Sequence, residues 1–376
     1  MSPRDGGGAD RDREFMSEAL ALAANGLYDT KPNPAVGCVL VKDGRVIARG
    51  WTAPAGGPHA ERVALAAAGA QARGATAYVT LEPCCHQGRT GPCTRALIEA
   101  GVARVVFAGH DPNPRVNGGG ERELAAAGVE VEGGVLEREA EPLNRGFFAR
   151  MRRGRPWVRL KIAASLDGRT ALANGESQWI TGAASRSDVH RWRARSGAVV
   201  TGSGTVLRDD PSLNARRDDA GIEPHVGIKQ PLRVILDSRL RSPPTARTLS
   251  LPGEVLIFTT HADDEAQRVL ERAGARVERV AGGEHCDLGE VLERLGALEV
   301  NDVWVEAGAR VAGGFLQARL IDELIVYMAP RLLGDGARGM FAVPALASLA
   351  DAWRLEFDEL RTIGDDVRIV ARVLPR

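Results

Sequence analysis

The feature that most restricts this chain is a discontinuous set of residues: His59-Ala60-Glu61, then Pro83-Cys84, then Pro92-Cys93. One histidine and two cysteines bind a zinc ion only if their ligand atoms meet at one point, so the fold must return three separated segments to one place. Three protein ligands leave a fourth position for water, as in catalytic zinc sites, whereas structural sites usually take four. Cys85 or His86 could supply a fourth ligand, so a zinc-stabilised binding module without catalysis is one alternative. Glu61 favours catalysis. It lies two residues beyond His59, where it can stand beside the metal and move a proton without binding the ion.

The surrounding pattern is that of a layered α/β domain. Residues 14–25 read as an amphipathic helix closed by Asn25-Gly26. Lys31-Pro32-Asn33-Pro34 cannot be helix interior. The two prolines hold Asn33 on a stiff turn, where its amide could bond a substrate ring. Strands are expected at 36–41 and 45–50, joined by an Asp43-Gly44 hairpin turn. Further strands are expected at 76–81, 104–108 and 129–131. Helices are expected from Ala60, from Thr94, over 118–127 and over 137–153. His59 and Cys93 thus fall at helix starts, and Cys84 at a strand end. Partial positive charge at a helix N-terminus favours thiolate.

Five cysteines, three of them between positions 84 and 93, fit a metal site better than a disulfide framework. Cys38 reads as core and Cys286 as an ordinary loop or surface residue. The formal net charge is zero, which removes the generic electrostatic case for a nucleic-acid partner. No apolar run approaches the ~18 residues of a membrane span, and the first residues lack a signal peptide's apolar core. A cytoplasmic protein is expected, with residues 1–12 a disordered start.

A basic linker near Gly154 divides the chain into a domain at 13–153 and a second α/β domain at 154–376. Strands of the second domain are expected at 157–163, 198–201, 233–236, 255–258, 303–305, 324–327 and 367–373. Helices are expected at 185–195, 263–273, 288–298 and 313–318, and a polar surface loop at 216–229. Gly202-Ser203-Gly204-Thr205 and the loop 308–314 each follow a strand, and glycines there let backbone approach a phosphate. Two such loops in one domain point to a dinucleotide. Lys31, Lys42, Lys161 and Lys229 are the only lysines among 49 basic residues, which draws attention to Lys161 as a site needing a compact ammonium.

The order His-Ala-Glu … Glu-Pro-Cys … Cys resembles the cytidine and deoxycytidylate deaminase superfamily. The long loop from Pro83 to Cys93, with Pro32-Asn33-Pro34-Ala35-Val36-Gly37 before it, is similar to the deaminase half of the bifunctional riboflavin-biosynthesis family, which usually has Ser at the place of Cys85. The likeness continues through 161–169, 175–181, 202–211 and 305–308, which look like the reductase half of that family.

The resemblance implies a three-layer cytidine-deaminase-like domain followed by a dihydrofolate-reductase-like α/β domain. It implies zinc held by His59, Cys84 and Cys93, with Glu61 as the proton carrier and Asn33 on the substrate. It also implies NADPH at Ala163, Trp179, Thr205, Asp209, Ser238 and the segment Gly308, Ala309, Arg310, Val311, Ala312, Gly313 and Gly314. A sugar phosphate would meet Ser177, Arg193, Leu213, Arg216 and Glu306. Lys161 and Asp209 are the candidates for polarising or protonating the hydride acceptor. The partner expected is a small phosphoribosylaminopyrimidine, and a homo-oligomer is expected from the family's habit. The rival within enzymes is a nucleoside or tRNA deaminase with an unrelated second domain.

Overall fold

The computed structural model describes residues 6–88, 91–223 and 227–374, and the chain falls into two units, Met1–Gly154 and Arg155–Arg376. In the first unit, helices α1 (Gly6–Ala23), α2 (Ala60–Ala68), α3 (Cys93–Glu99), α4 (Gly119–Ala126) and α5 (Glu137–Arg153) alternate with strands. The strands are β1 (Gly37–Lys42), β2 (Arg45–Trp51), β3 (Thr76–Leu81), β4 (Arg104–Gly109) and β5 (Glu130–Gly133), in the sheet order β2-β1-β3-β4-β5. β3, β4 and β5 are parallel, and β1 is antiparallel to both of its neighbours. Successive side chains of a strand point to opposite faces, and both faces here are apolar. Cys38 and Leu40 of β1 join Ala60, Ala64 and Leu97 on one side. Val39 and Val41 join Met16 and Ala19 of α1 on the other. Three layers result, and Cys38 is a core residue as expected.

The N-terminus departs from expectation. Disorder over residues 1–12 was expected from composition, yet α1 begins at Gly6; residues 1–5 lie outside the described residues. The cause is Asp12, whose carboxylate is buried. It accepts from the Tyr78 hydroxyl at 2.6 Å and from both terminal nitrogens of Arg104 at 2.9 and 2.8 Å. A bidentate Arg–carboxylate pair of this kind fixes geometry as well as charge.

A second long-range clasp holds the turn that carries Asn33. Asn144 sits at a kink inside α5, two residues after Pro142. Its side-chain oxygen accepts from the Ala35 N–H at 2.8 Å, and its side-chain nitrogen donates to the Ala35 carbonyl at 2.9 Å. The amide side chain thus pairs with a peptide group as a neighbouring strand would. The Thr30 hydroxyl donates to the Gly26 carbonyl at 2.8 Å, closing the turn from the other side.

The second unit contains β6 (Trp157–Ser165), β7 (Arg169–Ala171), α6 (Ala183–Arg195), β8 (Ala198–Gly202), α7 (Ser203–Asp209), α8 (Arg217–Ala220), β9 (Leu232–Leu236), α9 (Arg247–Ser250), β10 (Val255–Thr259), α10 (Asp264–Arg272), β11 (Ala275–Arg279), α11 (Leu288–Ala297), β12 (Asp302–Glu306), α12 (Ala309–Gln317), β13 (Glu323–Ala329), β14 (Arg338–Gly339), β15 (Leu355–Ile363) and β16 (Asp366–Val373). Its large sheet runs β11-β10-β9-β8-β12-β6-β13-β16-β15, parallel as far as β13 and antiparallel from there. Val189 of α6 packs with Val199, Trp304 and Tyr327 on one face. Val291, Leu292 and Leu295 of α11 and Phe315 of α12 cover Leu160, Val200 and Val305 on the other.

Three expectations change here. The glycine-containing segment 308–314 is not a loop, because all but Gly308 lies in α12. The expected loop at 216–229 contains α8, and 224–226 lie outside the described residues. Cys286 is buried in the core, its thiol donating to the Phe258 carbonyl at 3.3 Å.

Replacing Asp12 with alanine strips Arg104 and Tyr78 of a shared buried acceptor. Loss of such a partner is expected to cost about 1–3 kcal/mol, read as a lower melting transition for the first unit with that of the second unit unchanged.

Candidate active sites

His59 caps α2 in an extended conformation, and Glu61 lies in that helix's first turn, 4 % exposed. Cys84 lies three residues beyond the end of β3, and Cys93 opens α3 behind Pro92. Cys84 Sγ is 3.6 Å from His59 Nδ1, and Cys93 Sγ is 3.4 Å from the same atom. The three ligand atoms all lie within 4.8 Å of one another. The Cys93 N–H donates to Cys84 Sγ at 3.4 Å. Cys93 and His59 lower the Cys84 thiol strongly by hydrogen bonding, and the Cys84 contact pushes Cys93 up. Burial raises the Glu61 carboxyl, with Cys84 adding to it and His59 opposing.

Two sulfurs and one imidazole nitrogen are a donor set that suits zinc. Among the described residues the group contains neither Cys85 nor His86. The Cys85 thiol points instead to the Arg115 carbonyl, 3.6 Å away. The geometry therefore offers three protein ligands and leaves the fourth position open.

Asn33 stays on its turn through backbone bonds to Thr30, and its side-chain amide bonds to none of the described residues. Glu82, between β3 and Pro83, escaped the sequence reading. Its carboxylate, fully buried, accepts four backbone N–H groups, from Asp111, Gly118, Gly120 and Glu121. Asp111 is itself buried, and burial pushes its carboxyl up to about 7 despite a hydrogen bond from the Asn113 N–H. An acid just before Pro-Cys was the only signal, and nothing in it named these partners.

In the second unit, Lys161 and Glu306 are register partners on the parallel strands β6 and β12. Arg193 of α6 grips Glu306 with two bonds, Nε at 2.5 Å and Nη2 at 2.8 Å, and the Trp304 indole donates at 2.8 Å. Burial alone would raise the Glu306 carboxyl, but Arg193, with Lys161, holds it down to about 2. Burial lowers the Lys161 ammonium, and Glu306 opposes that fall. Arg193 Nη1 donates to the Asn214 carbonyl at 3.2 Å, which draws in the segment bearing Leu213 and Arg216. The Arg216 N–H donates to His190 Nδ1 at 3.3 Å, and its guanidinium pairs with Asp219. Burial, then Arg193 and Arg216, hold His190 down to about 4, so it stays a neutral acceptor.

Lys161, Arg193 and Glu306 thus form one group, and the Arg193–Asn214 bond sets the segment bearing Leu213 and Arg216 beside it. The candidate dinucleotide residues lie at the C-terminal ends of adjacent parallel strands. Ala163 is on β6, Thr205 is in the first turn of α7 after β8, Ser238 follows β9, and Gly308 follows β12. The turns after β8 and β12 touch, since a Cβ on Gly202 would stand 2.9 Å from Val311. Within α12, Ala309, Arg310 and Val311 lie in the first turn, whereas Ala312 and Gly313 are buried. A Cβ on Gly313 would lie 2.2 Å from the Ala342 carbonyl oxygen. Gly313 therefore serves helix packing, and Gly314 faces Leu288. Trp179 is exposed beneath the Arg186 guanidinium, 4.7 Å from its ring centre, on the same loop as Ser177. Asp209 stands exposed at the far end of α7 and makes no hydrogen bond to the Lys161–Glu306–Arg193 group.

Among the described residues no helix is long and apolar enough to cross a membrane. Residues 9–109 match the cytidine and deoxycytidylate deaminase zinc-binding region, and residues 156–369 match the RibD C-terminal domain. The riboflavin biosynthesis protein RibD of Escherichia coli is 49% identical over 95% of this chain and 98% of its own length. A solved structure of Acinetobacter baumannii RibD is 46% identical with a TM-score of 0.91, covering 98% of this chain and all of that one. A Thermotoga maritima structure, described as a diaminohydroxyphosphoribosylaminopyrimidine deaminase and 5-amino-6-(5-phosphoribosylamino)uracil reductase, is 33% identical with a TM-score of 0.85 over 98% of this chain and all of that one. A deaminase-type metal group and a reductase-type charged group in one chain, matched over 95% of its length, have one common explanation: the chain belongs to the RibD family of riboflavin biosynthesis proteins.

Proposed function

We propose that the chain deaminates 2,5-diamino-6-(5-phosphoribosylamino)pyrimidin-4(3H)-one to 5-amino-6-(5-phosphoribosylamino)uracil and then reduces the ribosyl group to ribityl, the two activities named for its Thermotoga relative. The observation that carries the reading is the convergence of His59, Cys84 and Cys93 beside a buried Glu61.

In the deaminase, His59, Cys84 and Cys93 would hold zinc, which when bound makes water acidic enough to act as a nucleophile near neutral pH. Glu61 would carry the two protons of that water in turn, the first to the ring nitrogen and the second to the departing amine, so that the water oxygen replaces the amino group and ammonia leaves. Its burial keeps the carboxyl away from bulk solvent. The Asn33 amide, whose side chain bonds to none of the described residues, would bond the pyrimidine ring.

In the reductase, C1′ of the opened sugar would be reduced by hydride from NADPH when that cofactor is bound. The backbone at Thr205, Ser238 and Gly308–Arg310 would hold it, with Ala163, Trp179 and Asp209 beside it. Of the two proton-donor candidates we retain Lys161. It is half-buried on the strand beside Glu306, whereas Asp209 is exposed away from that group. Glu306, kept ionised by Arg193, anchors Lys161 and the sugar hydroxyls. Two of the Arg193 nitrogens already serve Glu306, so Arg216 and Ser177 are left to meet the phosphate.

The partner is a small molecule, and the zero net charge supports no role for nucleic acid. A cytoplasmic location fits this chemistry. We also propose a homo-oligomer formed through the edge strand β15, where Leu355, Phe357 and Leu360 are exposed.

Ammonia release and NADPH oxidation are assayed separately. Glu61→Gln is expected to lower ammonia release by roughly 10²–10⁴-fold while zinc content and NADPH oxidation hold; normal ammonia release would sink the deaminase mechanism. A chelator should abolish ammonia release, zinc should restore it, and reduction of the deaminated phosphosugar should not change. Arg193→Lys, which loses the two-pronged grip on Glu306, should lower kcat/KM for NADPH oxidation about tenfold or more, leaving ammonia release intact. Phe357→Glu with Leu360→Lys should reduce the mass found by light scattering.

A further inference from the structure

The mechanism above uses the metal ligands, Glu61 and Asn33. It leaves unexplained why a fully buried carboxylate stands two residues before a ligand cysteine. Glu82 makes no hydrogen bond to His59, Glu61 or Cys93; its two oxygens accept from backbone, and the His110 ring nitrogen stands 3.7 Å from Oε2. Oε2 accepts from Asp111 at 3.3 Å and Gly118 at 3.0 Å, and Oε1 from Gly120 at 3.0 Å and Glu121 at 3.2 Å. The last two N–H groups are among those that the first turn of α4 leaves without helical partners. One side chain therefore pins both ends of the segment from 111 to 121.

That segment lies directly against the turn bearing Cys84. A Cβ on Gly120 would stand 2.1 Å from the Pro83 carbonyl oxygen, and one on Gly119 would stand 2.7 Å from Cys85 Sγ. The Cys85 thiol reaches the Arg115 carbonyl. Within the segment, Asp111 accepts from the Asn113 N–H at 2.8 Å and Asn113 accepts from the Arg115 N–H at 3.1 Å, so the loop is a chain of local turns. Local turns set its shape but not its place; among the described residues it is the Glu82 side chain that bonds both ends to the β3–Cys84 turn.

We propose that Glu82 is a positioning residue for deamination, holding segment 111–121 as a fixed wall beside the Cys84 turn against which the substrate seats. The proposal rests on the deaminase reading. Cys84 does not need Glu82 to keep its own place, because the Cys93 N–H bonds both its sulfur and its carbonyl. Removing the Glu82 carboxylate therefore frees the wall and leaves the ligand group standing.

Glu82→Gln keeps the volume but puts an NH₂ where two backbone N–H groups need an acceptor. Three quantities are measured on the full chain: bound zinc, hydrogen exchange of peptides covering 110–121, and KM and kcat for ammonia release. NADPH oxidation with the deaminated phosphosugar serves as the internal folding control. The expected result is one zinc per chain, faster exchange confined to 110–121, and KM raised at least tenfold with kcat within about threefold. Glu82→Asp, which keeps the charge but withdraws the oxygens, should show the same split if the Gln chain does not accumulate. Unchanged exchange, unchanged KM, or zinc lost in step with activity overturns the proposal. Should the wild-type chain release no ammonia, the deaminase reading fails, and the exchange result still decides whether Glu82 pins the wall.

Discussion

Parallel strands cannot be joined by tight turns, and the helices that join them cover the sheet faces. Polar chemistry in such a sheet is left with the strand ends, in the crevice outside the carboxyl ends of the strands. Both units obey this constraint. In the first, Glu82 and Cys84 follow β3 and Asp111 follows β4. In the second, Glu306, Thr205 and Ser238 lie at or just beyond the ends of β12, β8 and β9, and Lys161, midway along β6, is the register partner of Glu306. Each strand end opens into a loop or a helix start, so unpaired N–H groups are abundant there, and buried carboxylates find acceptable company.

The carboxylates of the two sites are handled in opposite ways. Glu306 lies between Arg193 and Lys161 and is held ionised across any physiological pH. Glu61 has a buried setting and a sulfur-rich neighbourhood, which favours its protonated form. A group that must pass a proton benefits from the second environment, and a group that must keep a cation in place benefits from the first. Residue type does not distinguish them; the fold does.

The metal group was legible because its chemistry restricts residue type. Few reasons other than a metal site place one His, two Cys and a Glu in that order. Most strands of both units were legible from their apolar runs; β7, β11, β14 and β15 were not expected. What stayed hidden depended on distant partners. Asn144 reads as a polar position in a helix, and its work is done on Ala35, 109 residues earlier. Residues 6–12 read as a polar, glycine-rich start, yet Asp12 meets Arg104 across the sheet. β15 was missed because its apolar residues are exposed, so no buried face marks it. Gly313 read as a phosphate glycine because a packing glycine and a phosphate glycine look alike until Ala342 is seen beside it.

Asn144 also bears on where one catalyst ends and the next begins. It belongs to α5, the last helix before Gly154, yet it secures the turn at Ala35 near the start of the first unit. The first unit is thus closed by its own tail. Any division of the gene that separated the two activities upstream of residue 144 would release the Asn33 turn while sparing every metal ligand. The helix that looks like a connector is part of the deaminase, and only beyond Arg153 can the chain be parted without undoing it.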